Sequence, residues 1–330
     1  MRAIWITWER QRRNKSMAEA LGADLHEFSS TGGRLSRYLT LSKQTLKLMS
    51  TTKPDVVFFQ NPSLILAALI ALSRKLFFRQ IKIVGDYHNA GVYPPALSWL
   101  TRWIAKNSDV ILVSNQNLVE VVESWGADAM AIPDPIPKIH DSPAETAQPK
   151  PARFVLLFIC SWADDEPVAE VIDAAEQLSG AGAQVEIKIT GRPKWELRCG
   201  SRPIPSNVTL TNFLSDEEFD RTLKHADAVM DLTTRDNCMV CGAYEAVAAE
   251  RPMILSENEA TKQYFYQGVA YTDNSAASIA ACVLQMIDQY PAFSHEASEL
   301  KSQLLARQKG FLGELSSRIG LPMLNSSITG

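Results

Sequence analysis

The sequence predicts an α/β protein made of two doubly wound domains, each built around a parallel sheet. Three observations carry that expectation. The chain has 330 residues, too many for one ordinary core and enough for two. Short β-branched and aromatic runs alternate with helix-like stretches throughout. A proline-rich break interrupts the alternation near the middle, after which it restarts.

In the first half the strands are read at Ala3–Thr7, Asp55–Phe59, Ile81–Gly85 and Asp109–Val113. Their near-continuous apolar character suits parallel strands covered on both faces. Helices are expected between them at 34–50, 63–78, 95–106 and 115–125. The stretch Asp134 to Ala152 holds five prolines and no hydrophobic period, so it reads as a linker. Beyond it, strands are expected at Phe154–Ile159, Val185–Ile189, Val208–Thr211, Ala228–Leu232, Met253–Leu255 and Val269–Tyr271. The helices of this half fall at 165–178, 215–225, 242–250 and 276–289, with a helical tail over 294–318. Asp164 or Asp165, followed by Glu166 and Pro167, reads as the start of the first of them: an Asp cap, an acidic first turn and an early proline. In such open sheets ligands bind beyond the carboxyl ends of the strands, so a cleft between the domains is the expected site.

Composition narrows the class. Apolar residues make up 46% and charged residues 21%, which suits a globular protein. The longest apolar run, Leu64 to Leu72, is far short of the roughly 20 residues needed to cross a bilayer. No secretory signal is read at the N-terminus, and five cysteines, an odd number, suit free thiols in a cytoplasm. Cys238 and Cys241 form a lone Cys-x-x-Cys with no second pair, so ordinary packing is preferred to a metal, and no metal site is expected. The net charge is −4 but uneven: residues 1–140 carry 17 Lys and Arg against 11 Asp and Glu. The excess suggests that the first half faces something anionic, a phosphate-bearing ligand or a lipid surface; chance spacing of solvated charges is the alternative. Nucleic acid is not an expected partner.

No Gly-x-Gly-x-x-Gly follows the first strand, where Trp8-Glu9-Arg10-Gln11-Arg12 stands instead, and no Gly-x-x-x-x-Gly-Lys-Ser/Thr loop occurs. Hydride transfer on a dinucleotide and P-loop phosphoryl transfer are therefore set aside. Glu245 is the conspicuous residue. It lies among Gly242-Ala243 and Ala246-Val247-Ala248-Ala249, where an ionised carboxylate needs a partner. A carboxylate in the first turn of a helix that points into the cleft can accept two hydrogen bonds from the vicinal hydroxyls of a ribose. Capping by backbone amides is the plainer alternative.

The order of these parts resembles the nucleotide-sugar site of GT-B glycosyltransferases, family 4 above all. The matching residues are Asp231-Leu232-Thr233-Thr234, then Tyr244-Glu245-Ala246, Arg251-Pro252 and Met253-Ile254-Leu255-Ser256, with Asn207 to Leu232 upstream. The resemblance covers about 155–290 and is diffuse before that. It implies a domain of residues 1–140 that takes the acceptor, a linker at 141–152, and a domain of 153–299 that binds the nucleotide sugar. The helix at about 300–320 is implied to pack back on the first domain.

It further implies transfer of a sugar from a nucleotide diphosphate-sugar to a glycan or lipid-linked acceptor. Anomeric configuration would be retained, with neither cofactor nor metal. Glu245, Asn237, Arg192, Lys194, Ser161 and Thr234 would then hold the donor. Asn237 stands where the family has a second Glu, and Ser161 opens an acidic loop, through Glu166, where the family has basic residues for the diphosphate. Arg192 and Lys194, after the strand Val185–Ile189, are the best substitutes, a plain surface turn being the alternative. In Gly85-Asp86-Tyr87-His88-Asn89-Ala90-Gly91, the resemblance implies a histidine, His88, near the donor sugar; His88 and Asp86 are the candidate catalytic pair, orienting the acceptor or handling its proton, with a loop histidine bonded to local backbone as the alternative. Arg13, in a basic loop with Arg10, Arg12 and Lys15, and Asn89 are the candidate acceptor contacts, with a solvated charge run as the alternative for the basic loop. The Trp, Phe, Arg and Lys of Leu64–Gln80 and Ala96–Lys106 suit a helix at a membrane interface, which would give peripheral contact through the first domain; helices that simply cover their own sheet are the plainer alternative. The location implied is cytoplasmic, with the inner face of the membrane as a docking place. Two other readings stay open: a catalytically silent binding module of this fold, and a nucleotide-sugar epimerase.

Overall fold

The computed structural model describes residues 1–9, 12–61, 63–87, 89–93, 96–139, 153–236 and 238–320, and only the backbone of Arg12, Asn89 and Ala90. The chain divides into two compact units, Met1–Pro135 with Ala306–Gly330, and Ile136–Leu305.

The first unit runs β1 (Ala3–Thr7), α1 (Arg12–Ala20), β2 (Asp24–Glu27), α2 (Arg34–Thr52), β3 (Val56–Asn61), α3 (Leu64–Leu76), β4 (Lys82–Tyr87), α4 (Asn89–Val92), α5 (Ser98–Lys106), β5 (Val110–Val113), α6 (Gln116–Ser124) and β6 (Ala129–Ala131). Its strands pair in parallel in the order β2-β1-β3-β4-β5-β6. Strand period two splits each run between two cores. Ile4, Ile6, Val57, Phe59, Ile83 and Ile111 face α2, α3, α5 and α6. Ala3, Trp5, Val56, Phe58, Val84 and Leu112 face Met17, Ala18 and Leu21, together with Leu315 and Ile319.

The second unit runs β7 (Phe154–Phe158), α7 (Val168–Gly180), β8 (Val185–Thr190), α8 (Trp195–Cys199), β9 (Val208–Asn212), α9 (Asp216–His225), β10 (Ala228–Asp231), α10 (Cys241–Ala248), β11 (Met253–Ser256), α11 (Glu259–Tyr264), β12 (Val269–Thr272) and α12 (Ala276–Asp288). The sheet order is β12-β11-β10-β7-β8-β9, again parallel. The long α13 (Tyr290–Ile319) begins in this unit, where Leu300 and Leu304 join its core, and ends in the first. Helix starts follow local chemistry. Ser215 and Glu218 close a reciprocal capping box on α9, and Asn258 and Ser275 cap α11 and α12 with their side chains.

The two doubly wound parallel sheets expected from the alternation are present. Three local expectations are corrected. The basic stretch from Arg12 is helical, not a loop, because Met17, Ala18 and Leu21 give it a buried face. α7 begins at Val168 rather than at Asp165, because Glu166 turns back onto the preceding loop. β2 and β6 went unread, since Asp-Leu-His-Glu and Ala-Met-Ala lack β-branched residues. The linker at 141–152 lies outside the described residues. Before it, Asp134 ion-pairs with Arg13, while Ile136 and Ile139 pack on a core of the second unit.

Candidate functional site

Strand order reverses in the second sheet between β7 and β10, and ligand sites in open α/β sheets form beyond the carboxyl ends at such a point. The segments leaving these two strands are therefore the place to look.

The segment after β7 is a tight loop folded around one carboxylate. Glu166 accepts hydrogen bonds from the Ser161 amide (3.0 Å to Oε1), the Ser161 hydroxyl (3.0 Å) and the Ala163 amide (2.7 Å). The Cys160 thiol lies 3.3 Å from Oε2. Burial and then the Glu166 charge push the Cys160 thiol far above its usual range, so it stays a protonated donor. Trp162 is fully buried with a left-handed backbone (φ 63°), and its indole donates to the Thr190 carbonyl at 2.9 Å. Gly191 (φ 84°) is required there, since a Cβ would overlap the Cys160 carbonyl oxygen.

The segment after β10 carries the second carboxylate. Asp231 is buried and accepts the Gly242 amide, in the first turn of α10, at 2.7 Å. A Cβ on Gly242 would stand 2.5 Å from that carboxylate oxygen, so only glycine lets the strand end and the helix approach this closely. Desolvation raises the Asp231 pKa well above the carboxylate range; the Gly242 amide opposes this, and the charges of Glu245, Glu166 and Asp165 add to it. Glu245, Glu166 and Asp165 thus each lie within electrostatic reach of Asp231.

Around them runs a polar lattice. Thr233 donates its hydroxyl to Asp165 (2.8 Å) and its amide to the Ser256 hydroxyl (2.9 Å). Ser256 donates to Asn274 (2.7 Å), whose amide group returns to the Thr233 carbonyl (3.1 Å). Arg235 closes the edge on Asp165 at 3.0 Å.

The residues singled out from sequence are placed as follows. Glu245 is buried on α10, one turn beyond Gly242 and on the same face; since the helix begins at Cys241, it stands in the second turn and not, as expected, in the first. Thr234 donates its amide to the Asp165 carbonyl at 2.8 Å, and Ser161 is held by Glu166. Lys194 reaches the Trp162 carbonyl at 3.1 Å, and Arg192 lies over the Phe213 ring, 5.5 Å from its centre. Asn237, His88 and Arg10 lie outside the described residues, and Asn89 is described by its backbone alone, as the first residue of α4.

Asp86, at the end of β4, receives the Arg13 guanidinium: Nη2 at 2.7 Å and Nε at 3.0 Å. Arg13 also pairs with Asp134 and donates to the Ile132 carbonyl at 3.1 Å. Both members of the Arg13–Asp86 pair are almost wholly buried. Sequence reasoning read Glu166 as a first-turn acid rather than as the acceptor that closes its loop, and gave no contact to Gly242, Ser256 or Asn274, because their meeting depends on parallel pairing of strands far apart in the chain. No group of three or more His, Cys, Asp or Glu able to hold a metal occurs among the described residues.

Comparison with known proteins agrees with this architecture. Residues 10–137 match the family model described as Glycosyltransferase Family 4, so the match falls on the half where the resemblance read from the sequence was diffuse and not on 155–290. No curated protein matches the sequence. Among solved structures, Anabaena Alr3699/HepE in complex with UDP and glucose is similar at a TM-score of 0.70 and 13% identity, over 96% of this chain and 100% of that one. The apo lipopolysaccharide outer core galactosyltransferase WaaB is similar at 0.61 and 13% identity, over 97% and 99%. A putative UDP-N-acetylglucosamine 2-epimerase from Listeria monocytogenes gives 0.57 and 11% identity, over 95% and 98%. At these identities the likeness is one of fold. With two parallel six-stranded units and the match over residues 10–137, the chain carries the GT-B fold and resembles glycosyltransferase family 4.

Proposed function

We propose that the protein is a glycosyltransferase that moves a sugar from a nucleotide diphosphate-sugar to a glycan or lipid-linked acceptor, with retention and without cofactor or metal. The observation that carries this reading is the position of Glu245. It stands on the helix that follows β10, beside the switch point of the second sheet, where the family resemblance puts the ribose-binding carboxylate. The match of residues 10–137 to family 4 and the UDP-bound structure of similar fold support it.

In this reading the second unit holds the donor. Glu245 takes the ribose hydroxyls, and the loop Ser161–Glu166 and the first turn of α10 face the diphosphate. Charge gathering on the leaving diphosphate would be met by backbone amides and by Arg192 or Lys194. Lys194 must then leave the Trp162 carbonyl, and Arg192 the Phe213 ring. In the first unit Asp86 is committed to Arg13, so an acid–base role falls to His88, with Asp86 and Arg13 fixing the strand end it follows.

A second reading has its own support. Glu166 and Asp231 already take amides that a diphosphate would use, which suits a module that binds glycan or protein and transfers nothing. Calorimetric titration with UDP, GDP and their sugar conjugates separates the two. Micromolar binding of one nucleotide, lost in Glu245→Ala, is expected; no binding, or binding unchanged in the variant, sinks the transferase reading. An epimerase would instead change the sugar of a bound conjugate with no acceptor present.

A further inference from the structure

The five cysteines do not share one environment. Cys160, Cys199 and Cys282 are buried, and burial pushes all three thiols up, as suits packing groups that stay protonated. Cys238 is half-buried and Cys241 exposed. Ordinary packing, preferred from the sequence, therefore accounts for three of the five and leaves the Cys-x-x-Cys unexplained. On α10 the contrast is sharper: Cys241 is exposed, whereas every residue from Gly242 to Ala248 is buried.

The pair stands beside buried acids of the second unit. Cys241 is the first residue of α10, directly before Gly242, whose amide donates to Asp231 at 2.7 Å. Glu245 lies one turn further along the same side of the helix. Cys238 is tied at the other end, where its carbonyl accepts from the side chain of Asn258, the cap of α11, at 3.4 Å. Between the two cysteines, Val240 is buried in one core with Leu157 and Ala243, and its backbone is extended (φ −80°, ψ 138°). Residues 238–240 enter the helix without a turn. Three steps of extended chain span about 10 Å. A disulfide needs Cα atoms within about 7 Å. A bridge between the two thiols therefore forces a turn at Met239–Val240, draws Val240 from its core and moves the end of α10.

We propose that Cys238 and Cys241 form a reversible disulfide that acts as a redox switch on the first turn of α10. The Cys241 sulfur, the exposed one, attacks as thiolate on a small-molecule disulfide such as oxidised glutathione, and one glutathione thiol leaves. The Cys238 thiolate then attacks the Cys241 sulfur of the mixed disulfide and expels the second glutathione. Two protein thiols give up two electrons and two protons, and the glutathione disulfide takes both as it becomes two thiols. A bridge that displaces Val240 is strained, and strained, exposed disulfides are the readily reduced, regulatory ones. In the dithiol form Gly242 keeps its contact with Asp231; in the disulfide form that contact opens and the turn carrying Glu245 shifts. The link itself needs no ligand, and only its effect on nucleotide binding rests on the proposed function.

The test incubates the full chain with oxidised glutathione at about pH 8, counts the remaining thiols and maps the link by peptide mass spectrometry. Two of the five thiols should be lost to a Cys238–Cys241 link within one chain, and dithiothreitol should restore them. Amide exchange at Gly242 should quicken by about tenfold or more on oxidation, since its acceptor is lost. Nucleotide affinity should fall by about tenfold or more. Cys238→Ser should form no link, and its amide exchange and nucleotide affinity should ignore the oxidant. Retention of all five thiols, a lasting glutathione adduct in place of the link, or a link between two chains overturns the proposal. So does a Cys238–Cys241 link that leaves unchanged the exchange at Gly242, or the affinity for a nucleotide that the reduced chain binds. If link and exchange behave as expected while neither form binds nucleotide, the switch stands and the transferase reading falls.

Discussion

The Glu166 carboxylate and the Ala163 amide meet at 2.7 Å, within a loop whose Ser161 amide and hydroxyl point at the same carboxylate. The loop therefore already contains the anion its donors are arranged to bind. Removing it with Glu166→Ala should free those donors. Inorganic pyrophosphate is expected to bind the variant measurably more tightly than the parent chain, by calorimetry at neutral pH, while the loop loses about 1 kcal/mol of stability for the lost charged hydrogen bonds. Equal pyrophosphate affinity in both proteins would show that this carboxylate is no competitor.

Asp231 supplies a pH dependence whose sign follows from its surroundings. Its folded pKa is raised, chiefly by burial, so the folded state holds a proton that the unfolded chain gives up at lower pH. Stability from this group is complete below the unfolded value of about 4 and is lost as pH rises from there through the raised folded value. Asp231→Asn keeps an acceptor for the Gly242 amide and removes the ionisation. It should therefore raise the melting temperature at pH 8 and much less at pH 4.5. A uniform shift at both pH values would contradict the assignment.

Gly242 tests how closely strand and helix approach. Gly242→Ala places a methyl group 2.5 Å from an Asp231 oxygen and 2.9 Å from Ile159 Cδ1. Overpacking of this kind costs about 1–3 kcal/mol in urea unfolding. The loss should shrink in combination with Asp231→Ala, because the clashing group is gone, and strict additivity would rule the contact out.

In the first unit, Arg13→Ala leaves Asp86 buried without its cation. A loss of about 3–5 kcal/mol is expected, the usual result of breaking one side of a buried pair. Arg13→Ala with Asp86→Ala should recover part of it. An Arg13 free to bind an acceptor phosphate would instead show little effect on stability.

Much of the fold was legible because buried parallel strands are written as apolar runs, as in Val56–Phe59 and Val155–Phe158. β2 was not, since an edge strand needs few apolar residues: Asp24 and Glu27 face solvent there. α1 hid behind its own charges, with three cations in its first four residues and a narrow face of Met17 and Ala18. Glu245 could be singled out, being a lone acid among small apolar residues. The partners of Asp231 and Glu166 could not. Asp-Glu-Pro looks like the start of a helix whether the acid caps that helix or turns back onto the loop before it, and only the packing of Trp162 and Thr190 decides.

The path of α13 constrains how the chain can be made. The sheet face that carries Trp5 and Phe58 is finished by Leu315 and Ile319, which a ribosome delivers some 250 residues after the last of β3. The first domain to emerge is thus among the last to close. Until then Met17 and Leu21 lack their cover, and a chain arrested near Leu305 would expose this seam to chaperones and proteases.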